Sequence, residues 1–481
     1  MCERSPKAEV RNPKETRSAK VEKKGAGKAI RSGGFRPSFG LRDSDLGLLL
    51  RARIVLPLSG PMIENGAVRI RGNRIAALGR WGDLARNAGR RVMDLGEVVL
   101  LPGLVNAHCH LDYTHMAGEF PPPEVFIDWL KLITSTKAGW SLSDYQQSWA
   151  SGAQMLVRTG TTTVADVEAV PELLPGMWEA TPLRVFSFLE MIGFTGRRTP
   201  QEILGEAVRK IRSLASGRRS ERQRCCAGLS PHAPYTVAPE LLGLSAETAR
   251  RRGWPLAIHA GESAQEFEMF TRGRGQMFDW LKQSGRDTTD CGRGSPVKHL
   301  ERCRALNQRL LLIHANYLGW GDAALLGRRR VSVVHCPRSH SYFQHQPFPL
   351  RRLLGAGVNI CLGTDSLATV HKRRRQLVEL NLFEELRTLA ARESWLSAKA
   401  ILQMATRNGA RALGMGGRLG EISKGAFADL IAVPVSGSAK GIYEEVLEHR
   451  GNVAANMIDG RWAVGPEGAQ AELGLEIGKE N

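Results

Sequence analysis

Long apolar runs are missing from this 481-residue chain, and none reaches the roughly 18 residues that a membrane helix needs. The N-terminus lacks the apolar core of a secretory signal, so the cytoplasm is the expected location. No Cys-x-x-Cys pair occurs among the eight cysteines, Cys2, Cys109, Cys225, Cys226, Cys291, Cys303, Cys336 and Cys361. In a chain this long and without a signal they read as reduced thiols rather than as a disulfide framework. Aromatic residues make up only 6% and do not interleave with the basic runs at 328–330 and 372–375. That argues against a nucleic-acid partner despite a net charge of +19, because solvated charged faces are the commoner meaning of such runs.

Part of the positive excess sits in a tail: residues 1–45 hold 6 Lys and 6 Arg against 6 acids, or +6. Residues 1–44 have almost no apolar periodicity, cannot bury enough surface to offset chain entropy, and are expected to be disordered. From Leu48 the texture changes to short β-rich runs punctuated by Gly and Asn, and a similar texture returns in "GEISKGAFADLIAVPV" and "AANMIDGRWAV". Asp459-Gly460 is a hairpin signal. Segments 45–100 and 416–468 are therefore expected to pair as one small composite β-sandwich, antiparallel in texture, that brackets the middle of the chain.

Between them lie eight strand-like cores, at 98–108, 161–167, 184–192, 225–232, 255–262, 309–316, 331–337 and 358–365. Several are continuously apolar, as parallel strands covered on both faces should be. Most are separated by helical patterns, which predicts an α/β fold with a (β/α)8 TIM barrel over 101–415. The longest interruption, 263–308, contains helical patterns suited to covering the barrel mouth.

Polar residues that are rare in buried strands stand at the ends of these cores. His108 and His110 end the first, His232 the fourth, and His259 the fifth, with Glu262 three residues on. His314, His335 and Asp365 end the sixth, seventh and eighth. In a TIM barrel the C-terminal strand ends form one face, where active sites are built. His-x-His in an extended segment points both imidazoles to one side, so both can reach one ion. A third His and a carboxylate complete a donor set for a divalent metal, Zn²⁺ or Fe²⁺, with room for water. Each signal alone has a plain structural meaning: a core histidine, or, for Thr364-Asp365, a helix N-cap. Their recurrence at strand ends one, five, six and eight favours a metal site.

At these residues the sequence resembles the amidohydrolase superfamily, in the branch of hydrolytic deaminases and s-triazine-type hydrolases related to S-adenosylhomocysteine deaminase and cytosine deaminase. "LPGLVNAHCHLD", "IHAGES" and "AGVNICLGTDSLAT" carry the superfamily resemblance; "GTTTVADV", "SPHAPYTV", "LLLIHANYL" and "VVHCPRSHSYF" narrow the branch. The resemblance implies a barrel with a flanking β-sandwich and one metal, Zn²⁺ first, held by His108, His110, His259 and Asp365. It implies Glu262 as acid/base and His314 near the reacting water. The absence of a Lys at the end of strand four favours a mononuclear site. His340 stands where the branch's "CPxSN" pattern has Asn, which leaves the substrate open.

The implied reaction is hydrolytic deamination of an amino-substituted N-heterocycle (purine, pyrimidine or nucleoside-like). Asp365 would take the proton of the attacking water, Glu262 would protonate the ring nitrogen, and His314 would steady the oxyanion. His232 and Tyr235 are expected to line the substrate pocket, Ser366 to orient Asp365, and Trp129 and Glu168 to face the mouth. Hydrolysis of a cyclic amide, an imidazolone or a C–Cl bond is the alternative chemistry on this scaffold. A non-catalytic binding protein is the remote one. Members of this superfamily often self-associate, so a homo-oligomer is expected.

Overall fold

The computed structural model describes residues 47–86, 91–216 and 224–466, so the expectation for the basic tail lies outside the described residues. Five strands come first: β1 (Leu48–Val55), β2 (Ile63–Arg71), β3 (Arg74–Arg80), β4 (Val92–Asp94) and β5 (Val98–Pro102). Eight follow: β6 (Leu104–Cys109), β7 (Thr161–Glu168), β8 (Arg184–Met191), β9 (Cys226–Pro231), β10 (Leu256–Ala260), β11 (Leu310–His314), β12 (Ser332–His335) and β13 (Asn359–Leu362). The last three are β14 (Leu430–Pro434), β15 (Ala455–Ile458) and β16 (Arg461–Val464).

Strands β6 to β13 pair in parallel and in chain order, each with its sequence neighbour. The barrel closes between its first and last strands through a parallel bridge of Cys109 to Asp365. Asp365 N–H donates to the His108 carbonyl at 3.2 Å, and His110 N–H to the Asp365 carbonyl at 3.4 Å. Asn106 reinforces the seam: its amide donates to Thr364 Oγ1 at 2.8 Å and its Oδ1 accepts from Thr364 N–H at 3.1 Å. Gly363 is obligatory here, because a Cβ would lie 2.7 Å from the His108 carbonyl oxygen and 2.9 Å from its nitrogen. Val105, Val167, Phe188, Leu311, Ile313 and Val334 fill the barrel interior. The opposite faces of the same strands pack on the outer helices, which explains their unbroken apolar runs.

The remaining strands form one sheet in the order β16-β15-β14-β5-β1-β2-β3, with β4 added beside β1. The composite of the two chain ends forms as expected, but it is mixed: β1 runs parallel to both β4 and β5. A second departure lies in the first strand-like core, which is two strands. Val98–Pro102 belongs to the terminal sheet, Leu104–Cys109 to the barrel. The break falls at Gly103, where a Cβ would sit 2.1 Å from the Thr162 side chain. Asp459 and Gly460 both have positive φ, 53° and 75°, and turn β15 into β16. Arg184, buried at the start of β8, joins barrel to sheet by reaching Asp429 and Asp459, each at 3.2 Å.

Segment 263–308 holds three helices, Ala264–Arg272, Gln276–Gln283 and Pro296–Arg302. Met269, Phe270, Met277 and Leu281 pack with Phe126, Ile127 and Tyr235 into a separate apolar cluster. The seven described cysteines are free, and no described helix is long and apolar enough to cross a membrane.

Candidate metal centre and active site

The structure brings the histidines of strand ends one, five and six and the aspartate of strand end eight together. His108 Nε2 lies 3.5 Å and His110 Nε2 3.9 Å from Asp365 Oδ1. The ring centroid of His108 is 4.9 Å from that of His110 and 4.9 Å from that of His259. His314 stands 5.5 Å from His259 and 5.9 Å from His108 by the same measure. Two overlapping triads, His108–His259–His314 and His108–His110–Asp365, each have donor atoms within 4.8 Å of one another. Such a set could hold one ion. His108 Nε2 is buried without a hydrogen-bond partner, as a nitrogen kept for an ion should be.

The tautomer of His259 follows from its surroundings. Its Nδ1–H donates to the His232 carbonyl at 3.1 Å, which leaves Nε2 as the bare nitrogen. Tyr113 stacks on His110 with centroids 5.0 Å apart and planes 4° from parallel, and Lys137 donates to the Tyr113 hydroxyl. His314 and Asp365 leave their strands at φ of 73° and 53°, a region costly for non-glycine residues and met at functional sites.

Burial governs the protonation states. It lowers the imidazole of His259 well below its usual value and that of His314 to about 3, so both are neutral. Burial would raise Asp365, but its interactions with His108 first, and then with His314 and His110, outweigh burial and lower the carboxyl below its usual range. Glu262 goes the other way: burial, then the negative charges of Asp365 and Glu266, push it well above the carboxylate range. Its Oε1 lies 3.3 Å from His314 Nε2. One mouth thus holds two buried carboxyls that their surroundings push in opposite directions, the arrangement by which acid and base roles separate.

His232 adjoins the cluster, with its ring 5.0 Å from His259 and its Nδ1 2.6 Å from Thr236 Oγ1. Tyr235 is buried in the apolar cluster beneath 263–308, edge-on to His232 at 5.7 Å. Trp129 packs on Phe126 and Phe343. Glu168 is buried and accepts the Val170 N–H at 2.9 Å. The Ser366 carbonyl accepts from Thr369, whereas the neighbours of the Asp365 carboxylate are His108 and His110.

Some neighbours escaped the sequence reading. Glu190 Oε1 lies 3.9 Å from His232 Nε2. It is a carboxylate near the end of an apolar strand, the same signal that marked the other site residues. Asn316 donates to the Glu262 carbonyl at 3.0 Å and faces His340 Nδ1 with its Oδ1, also at 3.0 Å. His340 therefore supports the segment that carries Glu262. Tyr113 had no signal, since its effect depends on the helix Phe126–Ala138 returning Lys137 to it.

Residues 99–463 match the profile of the amidohydrolase family. A 5-methylthioadenosine/S-adenosylhomocysteine deaminase of Syntrophobacter fumaroxidans is 33% identical over 410 residues, covering 82% of this chain and 85% of that protein. A 5'-deoxyadenosine deaminase of Methanoregula boonei is 30% identical over 360 residues, covering 72% and 74%. Among solved structures, an adenosine deaminase from Xanthomonas campestris with bound zinc superposes with a TM-score of 0.72 at 26% identity. The match spans 87% of this chain and 92% of that one.

Proposed function

This chain belongs to the amidohydrolase family, and we propose that it is a metal-dependent hydrolytic deaminase of an amino-substituted purine in an adenosine-derived nucleoside. The observation that carries this reading is the meeting of three imidazoles and the Asp365 carboxylate near the buried carboxyl of Glu262 at one mouth of a closed barrel. The relatives named as deaminases of adenosine derivatives supply the substrate class.

His108, His110, His259 and Asp365 would hold the cation, with Zn²⁺ first and Fe²⁺ second as fits a nitrogen-rich donor set. When bound, the ion supplies Lewis acidity and brings the pKa of water toward neutrality. The residues do the rest. Asp365 accepts the proton of the attacking water. Glu262 gives its proton to the ring nitrogen beside the reacting carbon, which makes that carbon more electrophilic. Neutral His314, whose Nε2 lies 3.3 Å from Glu262 Oε1, steadies the developing oxyanion. The proton held by Asp365 passes to the amine, the C–N bond breaks and ammonia leaves, while the adduct's hydroxyl proton returns to Glu262 and a ring carbonyl remains. His232 and Tyr235 contact the substrate on the strand-four side.

The test is ammonia release from 5'-methylthioadenosine, S-adenosylhomocysteine, 5'-deoxyadenosine and adenosine, set against aminopyrimidines, a chlorotriazine and cyclic amides. Turnover of an adenosine derivative is expected. Turnover confined to chlorotriazines or cyclic amides would replace deamination by another hydrolysis on the same residues.

A further inference from the structure

We propose that the N-terminal end of the barrel carries a second ligand site, built for an organic phosphate with an apolar or planar body. It lies opposite the catalytic mouth and does not rest on the deaminase reading. Strands β9, β12 and β13 run from one site to the other. Cys226, Ser332 and Asn359 at their starts line a cavity of about 640 Å³, whereas His232, His335 and Asp365 stand at or just beyond their ends. That volume suits a small molecule, for which sites span roughly 300–1,000 Å³.

The lining has two characters. Phe186, Ile211, Leu214, Leu413 and Met415 give it an apolar part, with half-buried Trp254 beside them, within a lining that is polar over more than half its surface. Its cations are Arg309, Arg330, Arg411 and Arg418. A smaller cavity of about 310 Å³ shares Arg309 and Arg330 with the first and adds Arg250, Arg328 and Arg329. Neither has an Asp or Glu among its described lining residues.

The positive charge there is weakly offset. Arg329 pairs with Glu301, which lies outside both linings. Arg309 donates to the Gly253 carbonyl at 3.2 Å and Arg418 to the Gly414 carbonyl at 2.9 Å. Those partners aim the guanidiniums without neutralising them. Clustered guanidiniums of one sign repel, and a phosphate relieves the repulsion through paired N–H donors matched to its oxygens. The lining is mixed, and its apolar part would stay uncovered by a bare phosphate. The two cavities together therefore fit a body in the larger one and phosphates toward the smaller. These seven arginines are solvent-exposed, as a duplex nucleic acid would also require, and the cavity of about 640 Å³ beside them is what favours a small organic phosphate.

The experiment is isothermal titration calorimetry of the full chain with UTP, UMP, inorganic tripolyphosphate and a random-sequence DNA duplex at physiological salt. The uracil ring carries no exocyclic amine, so these probes avoid the substrate chemistry of the catalytic mouth. Saturable one-site binding of UTP is expected, with UMP and tripolyphosphate weaker. The R309A/R411A variant should weaken UTP at least tenfold while ammonia release stays at the wild-type rate. Arg330→Asn should do the same, and Asn tolerates the φ of 58° at that position. The proposal is overturned by no saturable UTP binding at millimolar concentration, or by UTP binding that both variants leave unchanged. Tripolyphosphate binding as tightly as UTP would remove the apolar body. Duplex binding tighter than UTP and lost in the same variants would make this face a nucleic-acid surface.

Discussion

Asp365 and Glu262 are both buried carboxyls in one pocket, yet their surroundings drive them to opposite charge states. Replacing each separately should therefore fail in different ways. Asp365→Asn is expected to lose bound metal and to lower kcat at least a thousandfold, whereas Glu262→Gln should keep the metal and lower kcat by roughly 10²–10⁴. Metal stoichiometry measured beside kcat separates the two, and a Glu262→Gln protein that has lost its metal would refute the division of roles. A third residue, His299, reports on pH away from the site. Burial holds its imidazole down to about 4, against the upward pull of Asp290 at 3.6 Å. The unfolded chain takes up that proton near 6.5, so between about 6.5 and 4 the unfolded state binds more protons. Stability should fall as pH drops through that window. His299→Gln should remove on the order of 2 kcal/mol of the fall, read from urea denaturation at pH 7 and at pH 4.5.

At the scale of elements, the seam between β6 and β13 positions the site, because Asp365 N–H donates to the His108 carbonyl and the Asp365 carbonyl accepts from His110 N–H across it. Gly363 makes that approach possible, and the atoms a Cβ would meet are His108 backbone, which cannot swing aside. Gly363→Ala is expected to cost about 1–3 kcal/mol and to weaken metal binding at least tenfold. A Gly363→Ala enzyme with unchanged metal affinity would show that the seam does not set the ligand geometry. The joint between barrel and terminal sheet depends on Arg184, which faces two buried carboxylates. Arg184→Ala leaves both uncompensated and should cost about 3–5 kcal/mol, visible as a lowered Tm, with kcat on the folded fraction nearly unchanged.

For the whole molecule, the metal and the fold are expected to be coupled. Four donors from strand ends one, five and eight converge only when the barrel is closed, so an ion that binds the folded chain alone stabilises it by mass action. At a thousandfold excess over Kd that amounts to about 4 kcal/mol. Chelation should abolish ammonia release and lower Tm together, and Zn²⁺ should restore both. Loss of activity without any change in Tm would mean that the ion is not held by the converged strand ends. The basic lining at the other end of the same strands is 10 Å or more away by strand length, on the order of 3.3 Å per residue, so its variants should leave this coupling unchanged.

How far the molecule could be read before its coordinates depends on how local each cause is. The Asp459-Gly460 hairpin, the apolar parallel strands and the His-x-His pair are set by neighbours within a few residues, and their periodicity is visible along the chain. So is the placement of polar residues at strand ends, which converge once a barrel is granted. The break at Gly103 was not legible, because it comes from Thr162 pressing on a backbone 59 positions earlier in the chain. Nor were the parallel pairing of β1 with β5, the stacking of Tyr113 on His110, or the link from Asn316 to His340. The sequence alone determined which side chains were available for the chemistry and on which strand ends they stand. Only the tertiary structure decided their charge states, because desolvation and facing charges exist only once distant strands have met.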